Sequence, residues 1–388
     1  MPLANDDGSD RRGRPFSPGA KRIPVPADVA AASSESALQR DADELVANGA
    51  PGVLIESTTS SGNRVRVRSG YGDLEKKTPV PWDAHFRIAS FTKTFVSATV
   101  LQLVGEARLS LEDTVDRWLP GLVAGNGNDG RAITVRQLLQ HTSGLRDYFG
   151  DLSELGDEKG FFEHRYDRLS APDAVKKAVS RRPDFQPGTS WGYSNTNYVL
   201  AGMVIEKVTG QSWRHEVRDR IIRPLGLHGT SAPGTSPRIP GPHARGYHRF
   251  PVPGTDKPGE RVDATSMNQA MGGGADGELI STTEDGNKFL KALMAGEVLR
   301  PAQLAEMKKI VRVGETGDDG YGLGLSWTPT SCGGYWGHDG GVHGFLTGNG
   351  VTEDGTRSVM ISVNTFTLDN IGETDPLATV IEHALCER

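Results

Sequence analysis

Phe86-Arg87-Ile88-Ala89-Ser90-Phe91-Thr92-Lys93 leads into a run in which Phe95, Val96, Val100, Leu103 and Val104 recur at helical spacing before Gly105 stops it. The spacing predicts a helix that Ser90 opens. Lys93 then lies one turn on, on the same face, where its ammonium reaches Ser90 Oγ. A serine hydroxyl is a weak nucleophile until a neighbouring base takes its proton. Burial against an apolar helix lowers a lysine's pKa, and a lysine that is partly neutral can be that base. At a helix N-terminus the free N–H groups and the dipole favour developing negative charge, so the Ser90 amide is a candidate for half of an oxyanion hole. One Ser-x-x-Lys is expected by chance in 388 residues, so the spacing alone is not specific.

Two further segments give it company. Tyr193-Ser194-Asn195 lies about 100 residues downstream. Tyr193 can shuttle a proton between Ser90 and a leaving group, and the Asn195 amide can hold both Lys93 and a substrate carbonyl. The bland reading is a polar turn, with Ser194, Asn195 or Thr196 capping a helix through Tyr198, Val199, Met203, Val204 and Val208 to Gly210. His338-Asp339-Gly340-Gly341 comes before a strand-rich C-terminus, and its glycines let backbone approach a ligand closely. Gly341 N–H is the second oxyanion candidate. The glycine run lacks a GxxxxGK[ST] pattern, which argues against a phosphate cradle. His338 and His343 have no clustered Cys or His partners, so no metal is expected, and since protein groups supply the oxyanion hole and bases no organic cofactor is expected either.

With these residues together, the chain resembles the penicillin-recognising serine hydrolases: class C β-lactamases, serine D-alanyl-D-alanine carboxypeptidases and their esterase and D-aminopeptidase relatives. The likeness is strongest to the secreted carboxypeptidases with a His-Thr-Gly third motif. It runs from about residue 36 onward, through the Ser90 segment, Ile133-Thr134-Val135-Arg136-Gln137-Leu138-Leu139, His141-Thr142-Ser143-Gly144-Leu145, Tyr193-Ser194-Asn195-Thr196-Asn197-Tyr198 and Tyr321-Gly322-Leu323-Gly324-Leu325. The resemblance implies Ser90 as acylated nucleophile, Lys93 and Tyr193 as proton-transfer pair, and Asn195 as a contact to the substrate amide. It implies His338 as an electrostatic partner, Asp339 and Gly340 beside the substrate, and the Ser90 and Gly341 amides as oxyanion hole. It also implies a disulfide between Cys332 and Cys386, and with it an oxidising compartment.

Departures from that pattern bear on substrate. Where the carboxypeptidases carry His-Thr-Gly-Thr, this chain has His338-Asp339-Gly340-Gly341, and Ser326 stands where an arginine anchors the substrate carboxylate. A carboxylate within about 4 Å of Asp339 would be disfavoured by a few kcal/mol at an effective dielectric near 20. D-amino amides, esters or N-terminal D-residues are therefore expected to be handled better than a free C-terminal D-Ala-D-Ala. Met271-Gly272-Gly273-Gly274 falls where the carboxypeptidases present a tryptophan, which predicts a roomier subsite or a flexible loop. The leading expectation is a carboxypeptidase-like peptidase acting on small peptide, amide or ester substrates. Esterase or D-amino acid amidase stands next and β-lactamase third, with β-lactams as further ligands; the non-enzyme alternative is an inactive binding protein of the same fold.

Composition agrees with this frame. The chain is 36% hydrophobic with a net charge of −6 and no basic, aromatic-laced patch, which argues against nucleic acid. No run of 18 apolar residues spans a membrane, and the N-terminus has no apolar signal core. Extracellular or cell-envelope action is the expectation, with a cytoplasmic location left open. Residues 1–28, rich in Pro, Gly, Arg and Asp, read as a disordered tail. Val53-Leu54-Ile55 and Arg64-Val65-Arg66-Val67-Arg68 read as a hairpin, Val359, Ile361 and Val363 as a strand, and Leu377 to Leu385 as a helix. The predicted fold class is α+β: an antiparallel sheet flanked by helices, built from residues 36–95 and 305–388, with a mostly helical domain at 96–304 inserted. The resemblance puts the active site in the cleft between them. Pro233 to Gly259 reads as a surface excursion.

Overall fold

The computed structural model describes residues 27–255, 257–313, 318–368 and 375–386. The expected tail lies outside them except for its last two residues, which open the helix Ala27–Ala47.

Among the described residues, the main sheet has nine strands, all paired antiparallel, and both halves of the chain contribute to it. Its order runs Arg64–Gly70, Gly52–Thr58, Ser358–Val363, Phe345–Thr352, Tyr335–Gly337, Ser326–Thr328, Gly320–Tyr321, Val311–Arg312, and Gly340–Val342 pairs beside Phe345–Thr352. Burial explains the sequence pattern of each strand. Ser358–Val363 is buried at every position, so its side chains are apolar on both faces apart from two serines. Arg64–Gly70 is an edge strand: Val65 and Val67 point to the core while arginines alternate outward, which blunts edge-to-edge pairing. One sheet face is covered by Ala27–Ala47 and Pro376–Cys386, which bury Leu38, Leu45, Val380, Ile381 and Leu385. The helix Thr283–Met294 covers the other. There the buried Glu56 is satisfied by Arg64 at 2.8 Å and by the Thr283 hydroxyl at 2.9 Å.

The larger core surrounds the helix Thr92–Gly105, which is buried on nearly every side. Its polar residues are bonded inward: Thr94 Oγ1 donates to the Gly324 carbonyl at 2.8 Å, and Ser97 shares a 2.9 Å hydrogen bond with Tyr198. Phe95 stacks on Phe289 at 3.7 Å between ring centres. The helix Asn195–Thr209 packs against it and ends at Gly210 in the left-handed conformation, as its sequence predicts.

The Pro233–Gly259 excursion carries a hairpin that runs on past it, Tyr247–Pro251 with Pro258–Asp263, whose prolines at strand ends hid the strand pattern. Cys332 and Cys386 form a disulfide with Cα atoms 5.5 Å apart, joining the C-terminal helix to the loop before Tyr335–Gly337. No helix among the described residues is long and apolar enough to cross a membrane.

Candidate active site

Ser90 sits in a single 3-10 turn, Ala89–Phe91, that runs directly into the helix Thr92–Gly105. Ala89 before it has φ +44°, a left-handed conformation uncommon outside glycine, so backbone strain sits beside the candidate nucleophile. Lys93, one turn on, is fully buried. Its Nζ lies 3.0 Å from Ser90 Oγ, 2.8 Å from Asn195 Oδ1 and 2.6 Å from the Asp276 carbonyl. Burial lowers its pKa to about 8, against the opposing pull of Asp276 and Asp147.

Tyr193 donates its hydroxyl to Ser90 Oγ at 2.9 Å. The surrounding protein, with Asp276, Asp147 and Asp339 adding to its effect, holds that phenol well above its ordinary pKa, so it is neutral. Its ring rests 4.3 Å from that of His141, whose Nδ1 receives the Ser194 backbone N–H at 3.2 Å. Asn195 is held at both ends of its amide: Oδ1 faces Lys93 and Nδ2 donates to Asp147 Oδ2 at 2.9 Å. Ser194 occupies the N-cap position without a side-chain bond; Asp147 caps the helix by accepting the Asn195 N–H at 3.2 Å.

His338 is buried, with Nε2 2.9 Å from the Tyr321 hydroxyl and Nδ1 2.7 Å from the Asp339 carbonyl. A carbonyl only accepts, so Nδ1 carries the proton and Nε2 receives the Tyr321 O–H. Burial, then the nearby Lys93, lowers its pKa to about 3. The electrostatic role the resemblance implies for His338 is thus that of a neutral hydrogen-bonding ring, since a buried imidazolium beside an ammonium would be costly.

The glycines that follow are required by close approach. A Cβ on Gly340 would lie 2.2 Å from the Ile88 carbonyl oxygen and 3.1 Å from Ser90 N, and one on Gly341 would lie 2.3 Å from the Phe366 ring. Backbone is therefore packed on backbone at Ser90. Two cavities meet there, and Ser90 and Gly341 are the residues lining both. The larger, about 480 Å³, includes Tyr193, Trp327, Ser326, His338, Asp339 and Gly340. The smaller, about 90 Å³, includes Asn195, Asp276, Tyr148, Phe149, Met271 and Val342. Asp339 is open to solvent on the cleft wall. Crowding by protein and then the charge of Asp375 raise its pKa, and the solvent on its open side moderates that rise.

Lys93, Tyr193, Asn195, His338, Asp339, Gly340 and Gly341 therefore gather around Ser90, while Cys332 and Cys386 pair with each other. Three contributors were not legible: Asp147, Asp276 and Phe366. Asp147 follows the His141-Thr142-Ser143-Gly144-Leu145 motif closely, whereas nothing local distinguishes Asp276 or Phe366. The Met271–Gly273 turn is also neither roomy nor plain loop. Gly272, Gly273 and Gly274 all have positive φ, and a Cβ on Gly272 would meet the Tyr148 ring at 2.7 Å, so Tyr148 fills the space.

Comparison with known proteins agrees with this geometry. The family model described as beta-lactamase matches residues 38–381. A D-stereospecific amidohydrolase from Streptomyces sp. is 39% identical with a TM-score of 0.83, over 91% of this chain and 98% of that one. The D-amino acid amidase of Ochrobactrum anthropi SV3, complexed with L-phenylalanine amide, is 28% identical with a TM-score of 0.76, over 91% and 97%. Penicillin-binding protein 4* of Bacillus subtilis is 30% identical over 285 residues, 72% of this chain. The match spans only 60% of that relative's length. The chain belongs to the beta-lactamase family and is a serine hydrolase related to penicillin-binding proteins and D-amino acid amidases.

Proposed function

We propose that this chain cleaves amide bonds of D-amino acid derivatives through an acyl-enzyme on Ser90, and that it prefers amides to substrates ending in a free carboxylate. The observation that carries the reading is the hydrogen-bonded triple Lys93–Ser90–Tyr193 opening onto a cleft whose wall holds Asp339. In its neutral form Lys93 takes the Ser90 proton as Oγ attacks the carbonyl carbon. The carbonyl oxygen is held by the Ser90 and Gly341 amides. Tyr193, a neutral phenol, relays the proton to the leaving nitrogen as the C–N bond breaks, and water later hydrolyses the ester. Asn195 orients Lys93 and contacts the acyl part.

Tyr193 lines the larger cavity and Asn195 the smaller. A leaving nitrogen must lie beside its proton donor, so the leaving group occupies the larger cavity and the acyl side chain the smaller. Asp339 and Ser326 line the leaving-group side, and among the described residues no lysine or arginine does. That arrangement disfavours a terminal carboxylate there. The two similar amidases support the D-amide class, and the disulfide supports action in an oxidising compartment. The division expected from the sequence, residues 36–95 with 305–388 against 96–304, belongs to the same proposal: Asn195 comes from the latter and His338 from the former.

The test is turnover of a diacyl D-Ala-D-Ala peptide against its C-terminal amide, with Ser90→Ala as control. The amide should be hydrolysed at least about tenfold faster in kcat/KM, the order of one lost charge repulsion near a partly solvated site. Asp339→Asn should narrow the gap. Equal or better turnover of the free acid, or activity that survives Ser90→Ala, would contradict the reading.

A further inference from the structure

We infer that Asp276 seats the α-ammonium of the substrate, so that the site selects D-amino acid derivatives with a free amino group over N-acylated ones. This rests on the amide-cleaving reading above. Asp276 is 8% exposed and lines the smaller cavity together with Ser90 and Asn195. Its carboxylate accepts the Tyr148 hydroxyl at 2.8 Å and a bond from its own main chain. Among the described residues it forms no ion pair. Lys93, the neighbouring cation, donates to the Asp276 carbonyl rather than to the carboxylate, and Lys93 must be neutral to act as base.

Lys93 acts on this carboxylate through space but not by a direct ion pair, so a buried charge is only partly compensated in the empty site. Burial accordingly raises its pKa, with Lys93 and Tyr148 pulling the other way. Among the described residues, no lysine, arginine or histidine lines the cavity. Chemistry fixes where a directly paired cation would come from. In an amino acid amide the α-nitrogen is attached to the carbon next to the scissile carbonyl, so it lies on the acyl side of Ser90. With the leaving group in the Tyr193 cleft, that side is the Asp276 cavity. Phe149, Met271 and Val342 offer the substrate side chain an apolar wall there.

The alternative role for Asp276 is to tune Lys93 through space, which would affect every substrate alike. The experiment therefore reads a ratio. D-phenylalaninamide, N-acetyl-D-phenylalaninamide and D-phenyllactamide, in which a hydroxyl replaces the amine without added bulk, are assayed with the wild-type protein, Asp276→Asn and Asp276→Glu. The wild type should favour the free amine over the hydroxy amide by between about 10- and 100-fold, the usual range for a charge-assisted hydrogen bond. Asp276→Asn should bring the ratio to within about threefold, mainly through KM, and Asp276→Glu should restore part of it. An unchanged ratio in Asp276→Asn, or a wild type indifferent to amine against hydroxyl, overturns the assignment. If none of the three is cleaved while p-nitrophenyl acetate is turned over through Ser90, the amidase reading fails. The seat is then judged separately by inhibition of that ester reaction. Inhibition by D-phenylalaninamide well below the concentration needed for D-phenyllactamide supports it, and equal inhibition overturns it. Should Asp276→Asn fail to fold, Asp276→Glu carries the residue test: an unchanged ratio there, or a wild type indifferent to amine against hydroxyl, overturns the assignment.

Discussion

Replacing Gly340 by alanine is the sharpest perturbation of the candidate site that leaves its hydrogen-bonding and titrating side chains untouched. The added Cβ would stand 2.2 Å from the Ile88 carbonyl oxygen, whereas ordinary contacts begin near 3.4 Å. Relief therefore requires about 1 Å of relative movement between the strand Gly340–Val342 and the turn that carries Ser90. The obstructing atoms are backbone, so no side chain can swing aside. The same movement would misalign the Ser90 and Gly341 amides, and a 1 Å misplacement of reacting groups can lower a rate on the order of 100-fold. Overpacking of this kind destabilises by about 1–3 kcal/mol, which a folded chain of this size tolerates. Steady-state hydrolysis of p-nitrophenyl acetate, run beside thermal unfolding, separates the two effects. The expected result is a kcat/KM fall of about 100-fold with a cooperative transition retained. Near-wild-type turnover in a folded Gly340→Ala protein would refute the packing of these backbones as the basis of the oxyanion site.

Because Lys93 can accept the Ser90 proton only when neutral, and burial brings its pKa to about 8, kcat/KM for a neutral ester should rise through about pH 8. Below that it should fall roughly tenfold per unit. Asp339→Asn should leave this rise in place, and a flat profile between about pH 6 and 10 would contradict the assignment of Lys93 as base. The Cys332–Cys386 bond closes a separation of 54 residues, for which loop-closure entropy gives at most about 4 kcal/mol. The double variant Cys332→Ser/Cys386→Ser should lose about 2–4 kcal/mol in denaturant titration, and a loss under about 0.5 kcal/mol would count against it.

What the sequence made legible was local. Ser90 and Lys93 are i and i+3 across a 3-10 turn that runs into a helix, and that local spacing alone brings them within reach. The strands at Gly52–Thr58 and Ser358–Val363 announce themselves by runs of buried β-branched residues. Tyr193, Asn195 and the His338 segment could be joined to Ser90 only through the family resemblance, since no local rule spans such separations. Asp276 escaped even that, being one carboxylate in a glycine-rich turn whose meaning depends on Lys93 and Tyr148 meeting it in space. The glycines before it were misread as a source of room, because the side chain that presses on them, Tyr148, is far away in sequence. In the Tyr247–Asp263 hairpin, prolines and a bulge between Arg249 and Pro251 interrupt the alternation that would have betrayed it.

The antiparallel pairing of Gly52–Thr58 with Ser358–Val363 puts Val53 opposite Val363, about 300 residues along the chain. Contacts of such high sequence separation demand that a very large loop close before they return any stabilisation, which slows folding. The Lys93–Ser90 pair needs only one helical turn. The Gly341 amide is delivered by a strand that hydrogen-bonds into the late-closing sheet. A partly folded chain can thus hold the proposed nucleophile and base while lacking the proposed second oxyanion donor, so on that reading hydrolytic competence would arrive only when the two ends of the sequence have found each other.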